Sequence, residues 1–382
     1  MDFTFSGEQQ QFADALRRYL GQRYGFETRQ AIVASREGVS DEQWRAFAEL
    51  GLTALPVPEA SGGLGGGALD MLVAMQALGA ALVVEPYWAT AVGAEALRLA
   101  ASEHQADRAL LARVAGGEAR LAVAFDEPGA RYELLAIDSR GEPVGDGFRL
   151  SGSKALVRHG AQAQAWIVPA RQPDGAIALF LVERGAAGAD VEDYRTIDGQ
   201  RAATLRFSSA PARRLVDGSR GAETLERIAD YGIVLLCAEA IGALDALNRA
   251  TLDYTRTREQ FGTPIARFQV LQHRMVDMLI HTEQARSLAY LAALRYADDD
   301  ANQRRRAVSA AKVRVGQAAR FVGQQAIQLH GGMGMTNEVA AAHLFKRLSI
   351  IDLTLGDVDH HTARFASLPD FFEYDAALEH AN

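Results

Sequence analysis

"RTREQFGTPIARFQVLQHRMVDM", residues 256–278, sets a basic turn, an aromatic ring and two chain breakers in a row. Arg256 and Arg258 precede Phe261, Gly262 and Pro264 interrupt, and Phe268 and Gln269 open a new apolar-periodic run. Glycine and proline both withdraw support from a continuous helix, so one helix ends before this corner and another begins after it. Upstream, Ile233, Leu236, Cys237, Ala240, Ile241, Leu244 and Leu247 form one helical stripe. Downstream, Phe268, Leu271, Met275, Met278 and Leu279 lead on to Leu288 and Tyr296. A third helical segment, 304–329, stops at Gly331-Gly332, where glycine takes a positive φ at little cost. The fourth is expected to start after Asn337, read as its N-cap, and to run through Leu344, Leu348, Ile351 and Leu355. Four long amphipathic segments predict a four-helix bundle over 221–382.

The rest of the chain has two other textures. Residues 1–118 read as helices, with Phe12, Leu16 and Leu20 at fourfold spacing and Ala- and Leu-rich runs at 70–83 and 91–115. "EASGGLGGGALD", 59–70, has no strand before it and no Lys-Ser/Thr after it, so it reads as a flexible turn and not as a phosphate loop. Across 119–220, runs such as "LAVAF", "FRLSG", "AWIVPA", "AIALFLV" and "ATLRF" are strand-length and separated by Gly, Pro and Asp. No helical pattern lies between them, which argues against a parallel Rossmann sheet and for a small antiparallel barrel. The fold class expected is mainly α with a central β domain: helical domain 1–118, antiparallel β-barrel 119–220, four-helix bundle 221–382.

Composition narrows the function. A net charge of −8 over 382 residues argues against nucleic-acid binding, so an anionic ligand needs a local basic site. The single cysteine, Cys237, excludes disulfides and thiolate clusters and reads as a small buried hydrophobe. No run is long enough to span a bilayer; the longest, 71–84, stops at Glu85. The first residues lack a signal-peptide pattern, so the expected location is the cytoplasm.

Two stretches carry chemistry. At the corner, an arginine beside an aromatic ring offers a forked donor for phosphate and a flat face for a heterocycle; the same arginines also complement a helix carboxyl end. "QLHGGMGMTNE", 328–338, lets backbone amides approach a diphosphate, and reads equally as a helix–helix turn.

Together these stretches resemble the acyl-CoA dehydrogenase family of flavoproteins. The family's Arg-x-x-Phe-Gly-x-Pro and Phe-Gln pattern is matched by Arg258, Phe261, Gly262, Pro264, Phe268 and Gln269; its Gln-x-x-Gly-Gly-x-Gly by Gln328, Gly331, Gly332 and Gly334. "LGLTALPVPEASGGLGGGALD", "QALGAALVVEPY" and "HLFKRLSIIDLTLGDVDHH" look like the small subunits of pimeloyl-CoA-type dehydrogenases, which pair with a homologous large subunit. The resemblance implies FAD as cofactor, an acyl-CoA substrate, an electron-transferring flavoprotein as acceptor, and a dimer or tetramer. It implies that Arg258 and Phe261 reach the diphosphate and adenosine of an FAD bound mainly to a neighbouring subunit. Gln328, Gly331 and Gly332 would line the same stretch. In the central domain the usual Thr-Glu-Pro-x-x-Gly-Ser loop is replaced by "AFDEPGARYEL", and "KALVRHG" stands where a Trp-Ile-Thr/Ser group is usual.

The family reaction removes an α-proton with a carboxylate while a β-hydride passes to the flavin. The usual glutamate position, 27 residues after Gln328, holds Leu355, followed by Gly356; the alternative, 26 before Arg258, holds Gly232. Of the neighbouring acids, Asp230 reads as the N-cap of the first bundle helix or as an atypical base. On a helix continuing past 355, Asp357 turns away from residue 355, and Asp352 shares its face about 4.5 Å lower. Asp357 and His360 or His361 lack a third ligand group elsewhere, so no metal site is expected. Three readings follow: a subunit whose partner contributes the glutamate, a self-sufficient homo-oligomer using Asp230 or another atypical acid, or a flavin-free helical scaffold.

Overall fold

The structure is a computed structural model that describes residues 5–100 and 105–369. The chain divides into two compact units, Met1–Ala74 with Val83–Gly232, and Met75–Leu82 with Ile233–Asn382.

The first unit begins with helices α1 (Gly7–Arg23), α2 (Phe26–Ala34) and α3 (Asp41–Glu49). Ser6 starts α1 with a capping box, its hydroxyl accepting from the Gln9 amide while the Gln9 side chain returns to the Ser6 N–H. Helix α4 (Ala68–Ala80) follows, then α5 (Tyr87–Ala100) and α6 (Gln105–Ala115). The glycine stretch before α4 is not a flexible turn. Gly63 and Gly65 amides donate to Pro58 and Val57 carbonyls, and a Cβ at Gly63 would lie 2.0 Å from the Val57 carbonyl. Those glycines let the loop fold flat against its own chain.

Seven strands follow: β1 (Leu121–Val123), β2 (Arg140–Val144), β3 (Gly147–Arg158), β4 (Ala165–Arg171), β5 (Ile177–Glu183), β6 (Ala189–Arg195) and β7 (Arg201–Val216). Pairing runs β4–β2–β3–β7–β5 and returns to β4, closing a five-strand barrel, with β1 added to β4 and β6 to β7. Most pairs are antiparallel, but β1 lies parallel to β4, and β2 meets β4 through one parallel pair, Arg140 with Arg171. The barrel is therefore mixed where an antiparallel one was expected. Trp166, Val168, Phe180, Leu205 and Phe207 fill its interior, each contributing about 1.5–3 kcal/mol by leaving water.

Helix α7 (Gly221–Thr257) crosses into the second unit. There the chain continues through β8 (Glu259–Gln260), β9 (Thr263–Pro264), α8 (Gln269–Arg295), α9 (Ala301–His330), α10 (Ala340–Leu353) and α11 (Val358–Ala366). The second part of α4 crosses α7 so closely that a Cβ at Gly242 would sit 1.8 Å from the Gln76 carbonyl. Two expectations change. Val339, not Asn337, is the N-cap of α10; the Asn337 side chain instead accepts from Lys346 at 2.7 Å. The last helix does not run through 355: it stops at Leu353, and Asp357 caps a new helix by accepting from the His360 amide at 2.9 Å.

No helix among the described residues is long and apolar enough to cross a membrane, and no group of three metal-ligating side chains occurs among them.

Candidate active site: a helix-end cradle and a clamped turn

At the end of α7 the Arg258 amide still donates to Tyr254, and its carbonyl accepts from Ile265 at 2.8 Å. A two-residue hairpin, β8 with β9, folds between these contacts and holds Phe261 at its tip. Phe261 takes φ 54° and is 93% exposed, with the Phe268 ring edge-on at 6.1 Å beside it. An aromatic ring held out in this way loses little by being covered and gains apolar burial when it is. Arg258 and Gln269 are exposed alongside.

The glycine motif ends α9 at the same end of the helical unit. His330, the last residue of α9, stacks on Tyr254 at 4.5 Å, and its Nδ1 lies 2.8 Å from the Ala326 carbonyl. That stack ties the end of α9, next to Gln328, Gly331 and Gly332, to the last turn of α7, next to Arg258. Gln328 is exposed, Gly331 has φ 59°, and a Cβ at Gly331 or Gly332 would meet nothing within 4 Å. An exposed guanidinium, an amide, a bare ring and open backbone suit an anionic nucleotide.

The acid positions differ from expectation. Asp230 is not a helix start: α7 begins at Gly221, and Asp230 is 1% exposed inside the helix. Gly232, its neighbour, presents its carbonyl to Trp88 Nε1 at 2.9 Å. Leu355 lies in the break between α10 and α11 with φ 55°, followed by Gly356 at φ 105°. Asp352 sits in the last turn of α10, buried, 3.2 Å from Arg320.

Sequence spacing did not reveal what fixes this break. Buried Lys312, on α9, donates to the carbonyls of Asp352 at 2.7 Å and Gly356 at 2.6 Å. Buried His361, on α11, places Nε2 2.9 Å from the Leu355 carbonyl and Nδ1 3.3 Å from Ser309 Oγ. Burial first, and then the Lys312 ammonium, lowers the His361 pKa well below the usual imidazole value, which leaves the ring neutral with its proton on Nε2. The signals available in sequence were the Gly356-Asp357 pair, a helix stop followed by an N-cap.

In the barrel unit, Glu127 is turned inward. It pairs with fully buried Lys154 at 2.6 Å and accepts from the backbone amides of Asp138 at 2.7 Å and Ser139 at 3.2 Å. The 125–132 loop is thereby anchored to β3. Beyond Lys154 the β3–β7 register slips, and Leu156 projects 53% exposed at φ 50°.

Models of the acyl-CoA dehydrogenase N-terminal, middle and C-terminal domains match residues 6–118, 122–210 and 219–366. The chain is 26% identical over 376 residues to acryloyl-CoA reductase (NADH) of Anaerotignum propionicum, covering 94% of each protein. Among solved structures, a variant of the steroid ACAD Tcur3481-Tcur3483 superposes with TM-score 0.87 at 30% identity, covering 97% of this chain and 99% of that one. The ChsE4-ChsE5 complex of Mycobacterium tuberculosis gives 0.88 at 26% identity, over 96% and 98%. With three successive domain matches spanning nearly its whole length, this chain belongs to the acyl-CoA dehydrogenase family, FAD-dependent oxidoreductases acting on CH–CH bonds.

Proposed function

We propose that this chain is a subunit of a hetero-oligomeric acyl-CoA dehydrogenase that converts an acyl-CoA to the trans-2-enoyl-CoA, with the proton-abstracting glutamate on a homologous large subunit. The observation that supports the reading is the Tyr254–His330 stack, which sets the end of α9 against the last turn of α7, with Arg258, Phe261, Gln328, Gly331 and Gly332 all exposed next to these helix ends in the chain. When bound, FAD supplies the hydride acceptor. Arg258 would hold its diphosphate and Phe261 would cover its adenosine, with Phe268 and Gln269 supporting the corner. Gln328 and the open amides of Gly331 and Gly332 would take the remaining phosphate oxygens.

Leu355 at the usual base position supports the missing-base part, and the two-component names of the similar steroid ACAD and ChsE4-ChsE5 structures support a second chain. Exposed Val270, Val276, Leu279, Ile280, Leu291 and Leu294 give α8 an apolar face suited to that partner. A three-domain division at 1–118, 119–220 and 221–382, a cytoplasmic location and reoxidation by an electron-transferring flavoprotein complete the proposal. Pimeloyl-type dicarboxylyl, fatty and steroid side-chain CoA esters are the substrates to compare.

Purification with and without the co-expressed homologue tests it. The assembly should be yellow and bleach on anaerobic acyl-CoA addition, and neither chain should do so alone. Full turnover by this chain alone overturns the partner's role; an assembly that stays colourless overturns the flavin reading.

A further inference from the structure

The turn between α10 and α11 is held more firmly than a connector requires. Three of its carbonyls, those of Asp352, Leu355 and Gly356, meet two side chains that are themselves buried, Lys312 and His361. Burying an ammonium is costly unless several acceptors replace its water, and here the Asp352 carbonyl at the end of α10 and the Gly356 carbonyl beyond it do so. Within this turn Leu355 takes φ 55°, a conformation that L-residues with a branched side chain avoid. Gly356 next to it already supplies a positive φ of 105°, and a Cβ there would lie 2.7 Å from His361 Nε2. Strain of this kind persists where surrounding contacts over-determine the backbone, and it gathers at functional positions.

We propose that Lys312 and His361 are positioning residues: their hydrogen bonds to the Asp352–Gly356 carbonyls fix the backbone at 355 and form an intact platform for a base. The clamp is in place although the side chain at 355 is leucine. This rests on the reading given under Proposed function, in which position 355 is the vacated base site. The chemistry the platform would support needs no oxidant. A carboxylate at this position takes the α-proton of an acyl-CoA thioester, the C–H pair becomes the enolate, and a deuteron from D2O restores the thioester.

Two measurements on the full chain test the proposal. The first reads strain and is independent of flavin. Leu355→Gly should melt about 2 °C above wild type, and the gain should vanish when combined with His361→Gln, because a released turn relaxes. An equal gain in both backgrounds overturns the clamp. Lys312→Met removes a buried cation and endangers the fold, so the milder His361→Gln carries this cycle. The second uses Leu355→Glu in the co-purified yellow assembly, with the partner's own base removed, incubated with octanoyl-CoA in D2O. Mass spectrometry should show α-deuterium uptake at least tenfold above the leucine parent, falling back when His361→Gln is added. No uptake in a yellow assembly overturns the platform. A colourless assembly marks the failure of the flavin reading instead, and the melting cycle then decides the clamp.

Discussion

Arg347 grips Glu239 through two hydrogen bonds, Nε to Oε1 at 2.6 Å and Nη2 to Oε2 at 2.7 Å, with both side chains buried. The pair joins α7 to α10, the helix whose end carries the clamped turn. Removing one partner leaves an uncompensated polar group in the interior, so Arg347→Met should cost about 3–5 kcal/mol in urea unfolding. Glu239→Leu combined with Arg347→Met should cost far less, because matched apolar groups need no partner. A double variant as unstable as the single one would show that the pair does more than neutralise itself.

Glu85 makes stability pH-dependent. It is buried, accepting from the Tyr24 hydroxyl at 2.6 Å and the Ser40 amide at 3.2 Å. Burial outweighs these hydrogen bonds and pushes its carboxyl from 4.5 up to about 7. Between those values the native state holds a proton that the unfolded chain releases. The stability this group adds is complete below pH 4.5 and is lost as pH rises through about 7. Glu85→Gln removes this titration. The melting temperature of wild type relative to Glu85→Gln should therefore fall from about pH 5 to about pH 8. A constant difference across that range rejects the assignment.

What the sequence made legible was periodicity and punctuation. The stripe from Ile233 to Leu247, the breakers Gly262 and Pro264, and the Gly331 stop are local signals, and α7, α8 and α9 follow them. Pairing was hidden, because "LAVAF" is equally a parallel or antiparallel strand until Leu121 is seen opposite Ala165. The break at 354–357 left a local signal in Gly356-Asp357, but what holds it was hidden for another reason. It contains no proline, and the side chains that hold it, Lys312 and His361, come from two other helices. Asp230 was misplaced as a cap because the apolar stripe was counted only from Ile233, although Leu225, Ile228 and Ala229 already give helical spacing and α7 runs through them from Gly221.

Asp230→Asn separates the partner-base reading from a self-sufficient enzyme. Asp230 is 1% exposed in the middle of α7, where a cap has no function. If the partner supplies the base, the variant assembly should still bleach with acyl-CoA at a rate within about threefold of wild type, a change of under 1 kcal/mol in barrier. A loss of a hundredfold or more, with FAD still bound and the melting temperature unchanged, would move the base to Asp230.

The exposed corner predicts a loss of cofactor without a loss of fold. The Phe261 side chain is 93% exposed and Arg258 is exposed beside it, so neither supports the isolated chain. Phe261→Ala and Arg258→Gln should leave the apo melting temperature within about 1 °C of wild type, since surface substitutions stay near ±0.5 kcal/mol. In the assembly each should weaken FAD retention, Arg258→Gln by about tenfold to a hundredfold, the worth of one charged hydrogen bond. Absorbance near the flavin band after gel filtration, read against protein concentration, measures this directly. Raising the salt should narrow the gap between Arg258→Gln and wild type, because screening weakens an exposed charge pair and leaves ring burial untouched. Phe261→Ala should show no such narrowing. Full FAD occupancy in both variants at low salt would remove the corner from the cofactor site.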